Sequence, residues 1–309
     1  MTFYLFVLVA AIVLAMASSV RSDLSLADLL PKYGEGASRF TPIEGMWIHY
    51  RDEGAGPPLV LIHGTSSSLH TWDGWVARLA GSRRIIRLDL PGFGLTGPAP
   101  DGDYRATRYA RVVATLLDRL GVDRADIAGS SLGGRVALTF ALEHPARVRR
   151  LILVDSVGLS GQSPPLVFRL ASTPVVNRLL RWMTPRAFVR HTVEEVYADA
   201  RRVTQPTVDR YYDLTRREGN RRALIARFTG PSDPDLDEHL AKVHAPTLIA
   251  WGARDAWLPL SFAHRMHSAL RDAKLVIYPD AGHLPMEELP EVTAADVEVF
   301  LAASDGELG

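Results

Sequence analysis

Three hydrophobic patterns divide the chain. From Phe3 to Val20 no side chain is charged at neutral pH, a largely apolar stretch of 18 residues. As a helix rising about 1.5 Å per residue it would extend roughly 27 Å, close to the hydrocarbon thickness of a bilayer. The segment 1–20 is therefore expected to be a single membrane anchor. Ala15-Met16-Ala17 offers the small-x-small pattern of a cleavage site, so export after signal-peptide removal is the alternative, although Met1 and Thr2 supply no basic n-region. Either way the fold proper is expected to begin near Leu24.

The second pattern is a series of short apolar runs. Met46 to Tyr50, Pro58 to Ile62, Leu151 to Val154, Thr247 to Trp251 and Leu275 to Tyr278 read as strands. Ile85 to Leu90 and Ala125 to Ala128 are weaker, being interrupted by Arg87, Asp89 and Asp126. The third pattern is helical. Tyr109, Val112, Val113, Leu116, Leu117 and Leu120 fall on one helix face, and Gly121 ends it. Strands alternating with helices predict an α/β fold with a mostly parallel sheet, whose ligands bind beyond the carboxyl ends of the strands.

The alternation fails once, between Asp155 and Pro246. Such connections usually need only about 2 to 6 residues beyond the crossover helix. Helical patterns broken by Pro164, Pro165, Pro174, Pro185 and Pro206 fill this span, which predicts a helical cap over 156–245. The core is then expected in two parts, 24–155 and 246–303.

Composition narrows the chemistry. Thirty-five basic residues balance 35 acidic ones, which argues against nucleic acid as the partner. Cysteine is absent, so thiol nucleophiles, zinc-thiolate sites and iron–sulfur clusters are excluded. No metal or cofactor is expected.

Gly129-Ser130-Ser131-Leu132-Gly133 follows a short strand and opens an apolar helix through Val136, Leu138 and Phe140. That is the setting of a nucleophile elbow, in which a strained turn exposes a serine oxygen and the flanking glycines avoid clashes across it. Only Ser131 has the spacing; Ser130 would need glycine where Ala128 and Leu132 stand. A serine nucleophile needs a histidine base held by a carboxylate. His283 follows the last strand and is the candidate base. His144 ends a helix before Pro145, His239 and His244 sit on the polar approach to a strand, and His264 and His267 lie in an amphipathic helix, so none of these is the candidate base. Asp255, beyond the preceding strand, is the candidate acid, with Asp155 as the alternative. Backbone amides of Thr65 and Leu132 are candidate oxyanion donors, and His63 reads as a residue that holds its loop.

Together His63-Gly64-Thr65, Asp89-Leu90-Pro91-Gly92-Phe93-Gly94, the Ser131 elbow, Trp251-Gly252-Ala253-Arg254-Asp255 and Gly282-His283 resemble an α/β-hydrolase over residues 40 to 303. The resemblance implies an eight-stranded sheet with a cap inserted after the sixth strand, and the order Ser, Asp, His matches. Serine at the elbow argues against the dehalogenase and epoxide-hydrolase branches, which use a carboxylate. The chain resembles capped esterases and lipases, including membrane-anchored monoacylglycerol lipases. It is also similar to carbon–carbon bond hydrolases of aromatic degradation, but departs from their pattern at Thr65-Ser66-Ser67-Ser68 and at Leu284, where those usually carry glycines and a tryptophan. The expected activity is thus cleavage of a small carboxylic ester through an acyl-enzyme. Carbon–carbon cleavage, a cofactor-free perhydrolase and a silent binding protein on the same fold are the alternatives. Residues 160–227 hold 13 Arg, no Lys and six acids, so an amphiphilic substrate beside an anionic lipid surface is a further expectation.

Overall fold

The computed structural model describes residues 20–171 and 173–303. The expected anchor lies outside the described residues except for Val20. Among the described residues no helix is long and apolar enough to cross a membrane.

Eight strands form one sheet: β1 (Ser38–Ile43), β2 (Met46–Glu53), β3 (Pro58–Ile62), β4 (Arg84–Leu88), β5 (Ala125–Ser130), β6 (Val148–Val154), β7 (Thr247–Gly252) and β8 (Ala273–Tyr278). Their order is β1-β2-β4-β3-β5-β6-β7-β8. Only the pairs β1–β2 and β2–β4 are antiparallel. β1 is the strand that the hydrophobic pattern missed. Its sequence SRFTPI contains no apolar run, and Pro42 is tolerated because the strand lies at the sheet edge.

Successive residues of β3 pack to opposite faces. Val60 and Ile62 join Tyr109 of α3 (Ala106–Arg119) and Val136 of α4 (Leu132–Glu143), behind α1 (Leu26–Tyr33) and α2 (Asp73–Leu79) in chain order. Leu59 and Leu61 join Trp75 and Leu79 of α2. Two of the polar interruptions, Arg87 and Asp126, are buried and ion-paired. Arg87 meets Glu53 at 2.8 Å, and Asp126 meets Arg149 at 2.6 Å and Arg83 at 3.1 Å. Their charges are compensated in place, so a strand survives where the apolar pattern breaks.

Between β6 and β7 the chain forms α5 (Leu166–Ala171), α6 (Pro174–Leu180), α7 (Arg186–Val196), α8 (Gln205–Thr215) and α9 (Asn220–Thr229). After β7 come α10 (Ser261–Ala269), then β8, α11 (Pro285–Glu288) and α12 (Pro290–Ala302). From β3 the chain passes to β4 on one side and, after it, to β5 on the other. That reversal is a topological switch point, where open α/β sheets hold their ligands.

Candidate active site

Ser131 lies at this switch point, between the end of β5 and the first residue of α4. Its backbone has φ 54° and ψ −116°, a conformation that costs a non-glycine residue of order 1–3 kcal/mol. Turning this sharply brings strand and helix together. A Cβ added to Gly129 would lie 2.1 Å from the Gly133 carbonyl oxygen, and one added to Gly133 would lie 2.1 Å from that of Ile62. Both positions therefore exclude any side chain. Ser130 is buried, and its Oγ has no partner among the described residues.

His283 follows β8, and its Nδ1 bonds Asp255 Oδ2 at 2.7 Å. The remaining oxygen, Oδ1, accepts the amides of Trp257 at 2.7 Å and Leu258 at 2.9 Å, which fixes the carboxylate. Asp155, at the end of β6, is fully buried and accepts the Gly252 amide through Oδ1 at 3.0 Å. Burial first, and then the charge of Asp255, push its carboxyl well above the usual carboxylate range. One ligand-type atom each from Asp155, Asp255 and His283 lies within 4.8 Å of the others. A cation there would have to displace the imidazole bond and the amide bonds just named, so the donor set suits a hydrogen-bonded relay better than a metal.

His63 is buried; its Nδ1 bonds the Gly64 carbonyl at 2.7 Å, and its Nε2 accepts the Leu90 amide at 3.0 Å. Both ring nitrogens are spent on holding the loop after β3. That loop lies against the elbow, since a Cβ on Gly64 would come 3.1 Å from Ser131 Cβ. Neither the Thr65 amide nor the Leu132 amide has an acceptor among the described residues.

Two cavities meet over these groups. The first, about 1040 Å³ with its open mouth, is walled by Val167, Leu180, Phe188, Val193 and Leu224. The second runs past Arg135, Arg227 and Asp233. Thr65, Ser131, Phe168, Trp257 and His283 line both. In this conformation no hydrogen bond joins Ser131 Oγ to the imidazole among the described residues; such bonds often tighten only when substrate binds.

The model of the α/β hydrolase fold family matches residues 57–290. The chain belongs to the α/β-hydrolase family. This α/β hydrolase is 30% identical over 271 residues to the 2-hydroxy-6-oxo-2,4-heptadienoate hydrolase of Pseudomonas putida, covering 84% of this chain and 95% of that one. Among solved structures it resembles a hydrolase from Pseudomonas aeruginosa, with a TM-score of 0.75 and 29% identity, over 87% of this chain and 99% of that one. It also resembles a membrane phospholipase A described as a bacterial virulence factor, with a TM-score of 0.72 and 27% identity, over 97% and 98%.

Four features of this α/β hydrolase were not legible in its motifs. Trp257 packs beside His283 with ring centroids 5.2 Å apart, so an aromatic reaches the histidine although Leu284 follows it in sequence. Glu287 accepts from Arg210 at 2.8 Å, Tyr197 at 2.7 Å, Tyr211 at 2.9 Å and from Thr71, joining the helical insertion to α11, the short helix after His283. Glu288 accepts the amides of Gly282 at 2.6 Å and Ala198 at 2.7 Å. Motif spacing signals neither carboxylate, because their partners other than Gly282 come from distant parts of the chain. Finally, Ser38, His49 and Asp89 form a second Ser-His-Asp chain, at 2.9 Å and 2.7 Å. Arg51 donates to the Ser38 oxygen at 3.1 Å, and neither cavity reaches it.

Proposed function

We propose that the protein is a serine hydrolase of carboxylic esters, with Ser131 as nucleophile, His283 as base and Asp255 as orienting acid. The observation that carries this reading is the convergence of the strained Ser131 turn and the Asp255-held imidazole on one largely apolar cavity. His283 takes the hydroxyl proton as Oγ attacks the acyl carbonyl. Thr65 and Leu132 amides receive the oxyanion, an interaction whose loss typically costs about 10² to 10³ in rate. The imidazolium returns its proton to the departing alcohol, and water then releases the acyl group by the same route.

Carbon–carbon cleavage is the second reading, favoured by the name of the Pseudomonas putida relative. A panel of acyl esters, thioesters and a vinylogous diketone, assayed beside Ser131→Ala, separates the two. Ester turnover lost in the variant, with the hydroxyl of Ser131 carrying a fluorophosphonate label, supports the esterase. Turnover of the diketone alone supports the other reading, and equal rates for both proteins leave a silent binder.

Residues 24–155 and 246–303 serve in this reading as the core, 156–245 as the cap and 1–20 as the anchor. Val20 pairs with Met183, and Val20, Trp182 and Phe188 are exposed by 51%, 64% and 41%. An apolar patch beside a segment rich in arginine suits an anionic bilayer surface. Flotation of protein lacking residues 1–19 with anionic and neutral liposomes tests this; equal binding to both removes it.

A further inference from the structure

The second cavity has a chemistry of its own. It runs from Ser131 along α4 to a pair of arginines. Arg135 stands one helical turn beyond Ser131, about 6 Å along the axis. Its side chain is 9% exposed, and that of Arg227, at the end of α9, is 14% exposed. Each guanidinium gives one amino group to a backbone carbonyl: Arg135 to Pro234, and Arg227 to Tyr104 at 3.2 Å. The Nε of each is buried without a hydrogen-bond partner among the described residues, that of Arg135 facing Asp233 Oδ2 at 3.6 Å.

A single carboxylate lies between them. Asp233 Oδ2 is 3.6 Å from Arg135 and 3.8 Å from Arg227, beyond hydrogen-bond distance, while its Oδ1 accepts the Ala106 amide at 2.8 Å. Asp235 stands at the exposed rim. Two largely buried cations thus share one carboxylate that is partly committed to the start of α3. Burying charge without full hydrogen bonding is costly, and two planar guanidinium groups suit an oxyanion acid presented at their amino groups.

We propose that this cavity is an anion subsite, which holds a phosphate or carboxylate on the leaving-group side of the substrate while the acyl chain occupies the apolar cavity. The inference rests on the ester-hydrolase reading, and it narrows the substrate class to amphiphilic esters with an anionic alcohol portion. Phosphate and carboxylate share the recognition chemistry.

The test compares three butyrate esters that share an acyl group: 1-butyryl-glycerol, 1-butyryl-glycerol 3-phosphate and 3-butyryloxypropanoate. The expected kcat/KM for at least one anionic ester exceeds that for the neutral one by about tenfold or more, and whichever anion is favoured identifies its source. In Arg135→Met and Arg227→Met this ratio falls toward one, chiefly through KM, whereas Arg135→Lys keeps part of it. Equal kcat/KM for all three esters in the unaltered protein, or a ratio that survives both methionine variants, overturns the subsite. Calorimetric binding of glycerol 3-phosphate and of 3-hydroxypropanoate to the full-length Ser131→Ala protein is independent of turnover. Binding of either that is lost in the added Arg135→Met, Arg227→Met background supports the subsite even if no ester is cleaved, an outcome that would sink only the ester reading. Absence of binding by both overturns the subsite.

Discussion

Asp155 and Asp255 leave the ends of neighbouring strands and meet beside His283, yet only Asp255 bonds the imidazole, at 2.7 Å. Asp155 is tied instead to the Gly252 amide, at 3.0 Å. The two acids that the chain order left in competition thus have different partners, and in the proposed mechanism Asp255 is the one that orients the base. Asp255→Asn is expected to lower kcat roughly 10³- to 10⁴-fold, because the amide cannot hold the working tautomer. Asp155→Asn keeps an acceptor for Gly252 and is expected to lower kcat less than about tenfold. Steady-state kinetics on one ester checks both; the reverse ranking would make Asp155 the triad acid.

Asp155 also has a signature in stability. Its folded-state pKa is raised above the ordinary 3.8, so the folded protein binds a proton that the unfolded chain has released. The associated stability is complete below about pH 3.8 and is lost as pH rises toward the folded value. An asparagine does not titrate. The melting temperature of Asp155→Asn relative to the parent protein should therefore climb as pH increases from 4 upward. A constant difference across that range would mean that the carboxyl is not strained by burial beside Asp255.

The sheet and the elbow were legible because each rests on local patterns: continuous apolar runs for β3, β6 and β7, and glycine spacing around Ser131. The strand β1 was not, since Arg39, Thr41 and Pro42 satisfy an edge rather than a core. That His283 and Asp255 lie together was legible because each follows the end of a strand, β8 at the sheet edge and β7 beside it. Trp257, Glu287 and Glu288 were not, because what they do depends on chain segments that meet only after folding.

Glycines around the elbow should separate folding from catalysis. Gly133→Ala places a Cβ 2.1 Å from the Ile62 carbonyl oxygen, within rigid backbone. Loss of soluble protein, or destabilisation of at least about 3 kcal/mol, is expected. Gly64→Ala meets Ser131 Cβ at 3.1 Å and the Ser130 carbonyl oxygen at 3.3 Å, contacts that a small loop shift can relieve. That shift moves the Thr65 amide, so the variant should fold and lose about 10-fold or more in kcat. Denaturant melts with ester kinetics decide this, and full activity in Gly64→Ala contradicts an oxyanion role for Thr65.

The ion pair between Arg210 and Glu287 makes the last prediction. Both Glu287 oxygens lie 2.8 Å from the guanidinium, and the pair is largely buried. Burial disfavours the charge of Arg210, but the summed attraction of Glu287 and the other groups around it outweighs that penalty. Arg210→Met leaves a buried carboxylate with only neutral donors from Tyr197, Tyr211 and Thr71, a change that typically costs about 3–5 kcal/mol. The double replacement Arg210→Met, Glu287→Gln removes both charges and should recover much of that loss, because an amide can still accept from the tyrosines. Urea denaturation of the parent, the two single variants and the double variant measures the coupling. If the single and double variants unfold at the same midpoint, the pair does not hold the insertion to α11.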